Sequence, residues 1–215
     1  MRKALMVLKN LFIIVCVLFS LPAQASDAWF IAAKLGGASP KQSYQEVNFN
    51  AVKFDFDGGV DYALSVGKSF EKFIVELEYS LRDFDSNSRI IIPTGDIEEL
   101  DGHQVQESLF VNGYIFQPIG SKTSLFLGVG IGKTNVQWKG VTSSAFPEII
   151  NSDDVVNTYK LMMGAEMSLT ELLSLTLSYQ YLLLDDVVLS VPGGDSGKLN
   201  NQDIEIFNIG FKYKF

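Results

Sequence analysis

Three observations predict an all-β chain folded as an eight-stranded antiparallel up-and-down transmembrane β-barrel. Apolar and polar residues alternate with a period of two along eight segments; the connectors between them run long, short, long, short in order; and the last segment ends on an aromatic, Phe215. Period two puts apolar side chains on one face of a strand and polar ones on the other. Segments of roughly 9–11 residues are what a tilted strand needs to cross a bilayer.

The totals agree. A chain of 215 residues fits one domain, and 47% hydrophobic content is ordinary because alternation hides a membrane-facing surface in an average composition. The formal charge of −8 argues against nucleic acid as a partner, since such proteins present a basic face. Arg2, Lys3 and Lys9, an apolar run from Leu11 to Leu21, and Ala23-Gln24-Ala25 make residues 1–25 a secretory signal peptide, leaving residues 26–215 as the barrel. Its removal takes away three basic residues and no acid, so the charge falls from −8 to −11. Cys16 lies in this segment, so the mature chain is expected to have no disulfide, thiolate-metal or cysteine-nucleophile chemistry.

Taken in order, the first strand places Trp29, Ile31, Ala33 and Leu35 against Phe30, Ala32 and Lys34. The second, Val60–Gly67, sets Val60, Tyr62, Leu64 and Val66 against Asp61, Ala63 and Ser65. In the third, Phe73, Val75, Leu77, Tyr79 and Leu81 alternate with Glu76, Glu78, Ser80 and Arg82. The fourth, Ser108–Phe116, turns Leu109, Val111 and Ile115 outward and Asn112 inward. The fifth pairs Leu125, Leu127, Val129 and Ile131 with Gly128, Gly130 and Gly132, which leave inner space for bulky neighbours. The sixth points Tyr159, Leu161, Met163, Ala165 and Met167 outward and Lys160, Gly164 and Glu166 inward; the seventh is Leu173–Tyr181. The eighth carries Phe207, Ile209, Phe211, Tyr213 and Phe215 on one face. Short turns then face the periplasm together with both termini, and long loops near 38–59, 83–106, 133–156 and 183–202 face outward. Ile90-Ile91-Ile92-Pro93 is expected to extend strand pairing above the membrane. Aromatics fall into two bands, Trp29, Phe73, Phe116, Tyr213 and Phe215 at one end, and Tyr62, Tyr159, Tyr181 and Phe207 at the other.

The inner face is expected to be charged or small, which separates it from a soluble barrel with an apolar cavity. It holds Lys34, Asp61, Glu76, Glu78, Arg82, Lys160 and Glu166, a lumen charge network. Unpaired buried charge is costly and eight strands leave only side-chain room inside, so a salt-bridged plug is favoured over a narrow ion path. Glu76 and Glu78, roughly 7 Å apart by strand rise, have the separation of a hydrolase dyad but read more simply as partners of Arg82 and Lys160. His103 is the only histidine, and a metal site needs more ligands; a Ser-His-acid set with Ser108 lacks an orienting motif. Asp153-Asp154 and Asp185-Asp186 lack calcium-loop spacing. The reading is non-enzymatic, with no cofactor or metal.

Leu125–Gly132, Leu173–Tyr181 and the closing Phe207–Phe215 resemble the small outer-membrane barrels of the OmpA/OmpX-like superfamily, in particular the opacity-protein type surface antigens of Gram-negative bacteria. The resemblance implies outer-membrane lipid and lipopolysaccharide as surroundings. It also implies a closing strand, Phe207, Ile209, Phe211, Tyr213 and Phe215, read by the barrel-assembly machinery. Three functions follow as expectations: loops for adhesion, host interaction or envelope integrity; a narrow ion or small-solute channel; or a lipid-A-modifying barrel enzyme.

Overall fold

The computed structural model describes residues 28–41, 43–47, 50–54, 57–70, 73–91, 97–143, 150–189, 197–200 and 202–215. The expected signal peptide, residues 1–25, lies outside them, as do Ile92 and Pro93. Twelve strands are present among the described residues: β1 (Ala28–Pro40), β2 (Ser43–Val47), β3 (Asn50–Phe54), β4 (Gly59–Ser69), β5 (Phe73–Ile91), β6 (Ile97–Pro118), β7 (Thr123–Ser143), β8 (Ile150–Ser168), β9 (Leu173–Leu184), β10 (Val187–Leu189), β11 (Gly197–Asn200) and β12 (Asp203–Lys214). Eight of them close a barrel in the order β1-β12-β9-β8-β7-β6-β5-β4, every neighbour antiparallel. The first and last wall strands meet, Phe30 opposite Lys214 and Pro40 opposite Ile204, so no wall edge is left open.

Outward positions form an apolar belt. Leu64, Val111, Leu127, Leu161 and Phe207 are all more than half exposed, while the residues between them are buried. On β12 the belt runs from Phe215 to Phe207, roughly 20–25 Å for strands tilted near 40°, the height of a membrane-barrel band.

Beyond the belt, polarity inverts while the alternation continues. On β5 the outward residue becomes Asp83 and the inward one Phe84; on β12 they become Glu205 and Ile206; on β7 Lys133 and Asn135 face out while Val136 and Trp138 are buried. In lipid the outside must be apolar and the inside can hold charge; in water the assignment reverses. The stretches near 83–106 and 133–156, expected to be loops, are therefore largely strand: β5 and β6 pair as far as Ile91 opposite Ile97. The stretches near 38–59 and 183–202 likewise carry β2, β3, β10 and β11, a four-stranded sheet ordered β10-β11-β2-β3. Beyond Pro40, Leu184 and Asp203, where β1, β9 and β12 end, this sheet takes over their side of the wall, and the Asp154 carboxylate ties β8 to β10 by accepting the Val188 N–H at 2.8 Å.

The inside is layered, which corrects the expectation of charged or small inner positions. One apolar cluster (Phe30, Ala32, Ile74, Tyr114, Phe126, Met162, with Phe116 packed against it) sits toward the short turns. A larger one, including Phe84, Phe110, Trp138, Leu182, Ile204 and Ile206, fills the extension. Phe116, expected in an outer aromatic band, shares the parity of Tyr114 and packs inside, 5.4 Å from Phe126 by ring centroids. The glycines of β7 make room for these side chains: a Cβ on Gly132 would lie 2.5 Å from the Phe110 ring, and one on Gly128 2.5 Å from Tyr114.

Candidate functional site

A stack of ionic layers runs through the lumen, the first within the lower apolar cluster and the others between the two clusters. Nearest the short turns, the Lys212 ammonium pairs with Glu166, stands 4.9 Å over the Phe30 ring and 5.1 Å over Phe116. Lys214 reaches the other Glu166 oxygen at 3.6 Å. In the next layer Lys34, from β1, donates to Glu76 at 2.8 Å and to Glu78 at 2.6 Å, both on β5. Glu76 also accepts from the Tyr114 hydroxyl at 2.9 Å and from the Asn112 amide at 3.0 Å. Glu78 is paired on its far side with Lys160, whose ammonium lies 4.2 Å from the Phe110 ring centroid. In the third layer Arg82 donates to Asp61 at 3.0 Å, Gln106 at 3.1 Å, Ser80 at 2.7 Å and Ser108 at 3.0 Å. Asn208 donates to the second Asp61 oxygen at 3.0 Å. A hydroxyl chain, Ser108 to Thr134 at 2.8 Å and Thr134 to Thr158 at 2.7 Å, completes the layer.

Lys34, Asp61, Glu76, Glu78, Arg82, Lys160 and Glu166 thus all face the lumen, and each stands in an ion pair. Lys160 meets Glu78 as expected, but the other partners differ: Lys34 lies between Glu76 and Glu78, and Arg82 pairs with Asp61. Lys212 was missed, although it shares the inward parity of Asn208 in the closing strand. With it, four acids (Asp61, Glu76, Glu78, Glu166) meet four bases (Lys34, Arg82, Lys160, Lys212), so the buried lumen is charge-balanced. The packing leaves a cavity of about 30 Å³ lined by Lys34, Glu76, Tyr114, Glu166, Thr176 and Lys212, among others, which is room for a water or two. Lys34 between Glu76 and Glu78 leaves no place for a substrate bond, so the hydrolase-dyad geometry is filled by an ion pair.

Phe207, Ile209, Phe211, Tyr213 and Phe215 are exposed on the outer wall, and the Phe215 N–H donates to the Trp29 carbonyl at 2.9 Å. His103 is exposed on the outward side of β6, opposite Lys139 in register. No group of three or more His, Cys, Asp or Glu able to hold a metal occurs among the described residues. At the belt's upper margin Lys41 bonds Glu205 at 2.9 Å and lies 4.8 Å from the Tyr181 ring, and the Tyr181 hydroxyl donates to Asp203 at 2.5 Å. There the hydrogen bond to Lys41 holds the Glu205 carboxyl below its usual range; the same bond raises the Lys41 ammonium, and the bond to Asp203 raises the Tyr181 phenol.

A closed antiparallel wall, apolar outside over one bilayer's height and ion-paired within, defines a membrane β-barrel. The family described as outer membrane protein beta-barrel domain matches residues 11–215, and the chain belongs to that family, which places it in the bacterial outer membrane of Gram-negative bacteria. Among solved structures the chain is similar to the outer membrane protein OprG of Pseudomonas aeruginosa, with a TM-score of 0.58, 17% identity, and coverage of 89% of this chain and 97% of that one. It is also similar to Neisserial surface protein A, with a TM-score of 0.57, 12% identity and coverage of 87% and 97%. The outer membrane protease OmpT of Escherichia coli aligns with a TM-score of 0.54, 10% identity and coverage of 91% and 99%. At these identities the likeness is one of fold. No curated protein matches the sequence.

Proposed function

We propose that this chain is a sealed, non-enzymatic outer-membrane barrel that carries a rigid β-extension out of the bacterial surface for adhesion, host interaction or envelope integrity. The observation that carries the reading is the filled lumen. Its charges are balanced and paired in three layers, and the larger apolar cluster closes the barrel at the extension. A conducting path would have to cross that cluster, where ions would lose their hydration without a compensating partner. With short turns and termini in the periplasm, β5–β8 project outward and the partner surface is sheet, not loose loop. The lumen residues serve stability and the closing strand serves assembly.

The test has two arms. In planar bilayers the purified barrel should give no steps above the protein-free baseline, and an epitope inserted between Gly193 and Gly194 should be labelled on intact cells. Cells lacking the protein should then lose binding to host cells or gain detergent sensitivity. Regular conductance steps abolished by Lys34→Met would instead establish the channel reading, and labelling only in broken cells would reverse the orientation.

A further inference from the structure

Above the lipid belt the outward positions of several wall strands are acidic: Asp83 on β5, Glu107 on β6, Asp153 on β8 and Glu205 on β12. β7, which runs between β6 and β8, is different. Above Ile131 its outward residues are Lys133, Asn135, Gln137 and Lys139, two cations and two amides with no carboxylate among them. Both lysines are exposed, and neither stands in an ion pair with another described residue.

The two lysines are placed differently. Lys133 sits where the outer wall turns from apolar to polar: Ile131 below it is 58% exposed, and its register partners Leu109 and Asn157 carry no charge. Lys139 lies at a bulge. The pairing of β7 slips on both sides there, between Asp101 and His103 of β6 and between Trp138 and Val141 of β7 itself, and the next residue, Gly140, takes a φ of 65°. Such a bulge re-aims the side chains beside it. Six residue steps of strand separate the lysines, roughly 20 Å along β7 and roughly 15 Å along the barrel axis for strands tilted near 40°.

In the outward orientation proposed above, this stripe starts at the headgroups of the outer leaflet and climbs through the sugar layer over them. The molecule that surrounds it there is lipopolysaccharide, a glycolipid with phosphates at its base and a hydroxyl-rich, phosphorylated core above. Ammonium groups match the phosphates, and side-chain amides both donate to and accept from sugar hydroxyls. Glu107 and Asp153 on the two neighbouring strands repel phosphate, so the match is one strand wide.

We propose that the outward face of β7 from Lys133 to Lys139 is a binding rail for one lipopolysaccharide molecule of the cell's own membrane. A lipid A phosphate meets Lys133, core sugars lie over Asn135 and Gln137, and a core phosphate meets Lys139. The site rests on the proposed orientation and makes envelope integrity the role of this face.

The experiment uses the intact folded barrel, immobilised in mild detergent, and lipopolysaccharide trimmed to lipid A and inner core, before and after enzymatic removal of its phosphates. Lys133→Gln should weaken binding about threefold, and Lys133→Gln with Lys139→Gln about tenfold, the scale of one and two exposed ion pairs. Heat-modifiable migration should be unchanged, because both side chains are exposed. Removing the phosphates should erase the difference between the unaltered barrel and the double variant. Asp83→Asn with Glu205→Gln, on other strands, should leave affinity within about twofold. Equal affinity of the double variant and the unaltered barrel, or undiminished binding of the dephosphorylated glycolipid, would overturn the site. Tighter binding of soluble heparin at the same lysines would overturn the choice of occupant. These outcomes are read on purified protein and leave the proposed function standing. Surface labelling only in broken cells would overturn both, because the stripe would then face no lipopolysaccharide.

Discussion

Arg82 offers the sharpest test of the lumen. Its guanidinium is 1% exposed and serves Asp61, Gln106, Ser80 and Ser108 at once. Arg82→Met removes the charge and every donor, leaving the 2% exposed Asp61 carboxylate with Asn208 alone. Breaking one side of a buried pair costs about 3–5 kcal/mol, because the surviving charge stays buried without compensation. Asn208 still donates to Asp61, so we expect the lower end, about 3 kcal/mol, or roughly 150-fold in the unfolding equilibrium. Adding Asp61→Asn neutralises the orphan, keeps lumen charge balanced and should leave a net loss of about 1 kcal/mol, giving a coupling of at least 2 kcal/mol in the double-mutant cycle. The assay is urea unfolding of the barrel in lipid vesicles, following the fraction that keeps fast migration when unboiled. Both single substitutions costing under about 1 kcal/mol, or a double variant as unstable as the sum of the two, would show that the ionic stack does not hold the wall together.

The remaining predictions concern space, charge and assembly. A Cβ on Gly36 would lie 1.7 Å from the Asn208 carboxamide oxygen and 2.2 Å from the Phe207 backbone carbonyl, so Gly36→Ala should push the Asn208 side chain off Asp61, displace the β1–β12 backbone and cost about 3 kcal/mol or more in the same assay. Gly113→Ala, with open space, should stay within about 0.5 kcal/mol. At the rim, Glu205 has a folded-state pKa below its unfolded one, so its contribution to stability is present above the ordinary carboxylate range and lost as pH falls through the folded value. Glu205→Gln should therefore lower the unfolding midpoint slightly at pH 7 and by progressively less as pH falls below the ordinary carboxylate range, whereas a loss that does not change with pH would mean the charge is irrelevant. Deleting Phe215 should deplete the compact unboiled form from outer-membrane fractions, and undiminished levels would remove the terminal aromatic from the assembly signal.

Much of this architecture was legible in the alternation, and the misses have physical causes. The facing of Glu76, Glu78, Arg82 and Lys160 follows from period two alone, because strands turn successive side chains to opposite faces. Their partners do not follow. Lys34 meets Glu76 and Glu78 because the tilt and stagger of β1 and β5 bring them to one height, a property of the closed wall and not of either segment. Phe116 shares the parity of Asn112, so the alternation that turns Ile115 outward already puts it inside, against its place in an outer aromatic band. Lys212 was readable, since it alternates with Phe211 and Tyr213. Over the stretches near 83–106 and 133–156 the outward residues turn polar, which resembles a loop in the sequence but marks the end of the lipid and not the end of the strand.

That inversion bears on function. A strand whose wet face changes sides needs an interior suited to each solvent, and the barrel supplies one: ion pairs and a small apolar cluster where the outside is lipid, a larger apolar core toward the extension. Inside the belt, apolar side chains on the outer wall gain nothing from the lumen, so stability rests on the small apolar cluster around Phe30 and Phe126 and on paired charges whose separation would be costly in a low-dielectric tube. Above the belt, ordinary hydrophobic burial resumes, and Phe84, Val136 and Trp138 hold the extension as they would hold a water-soluble sandwich. The extension is therefore stabilised by its own core, continuous with the membrane barrel through the same four strands β5–β8. A surface built this way should tolerate changes at outward positions such as Gln137 and Lys139 without disturbing either core, because their side chains lie on the opposite face of β7 from Val136 and Trp138.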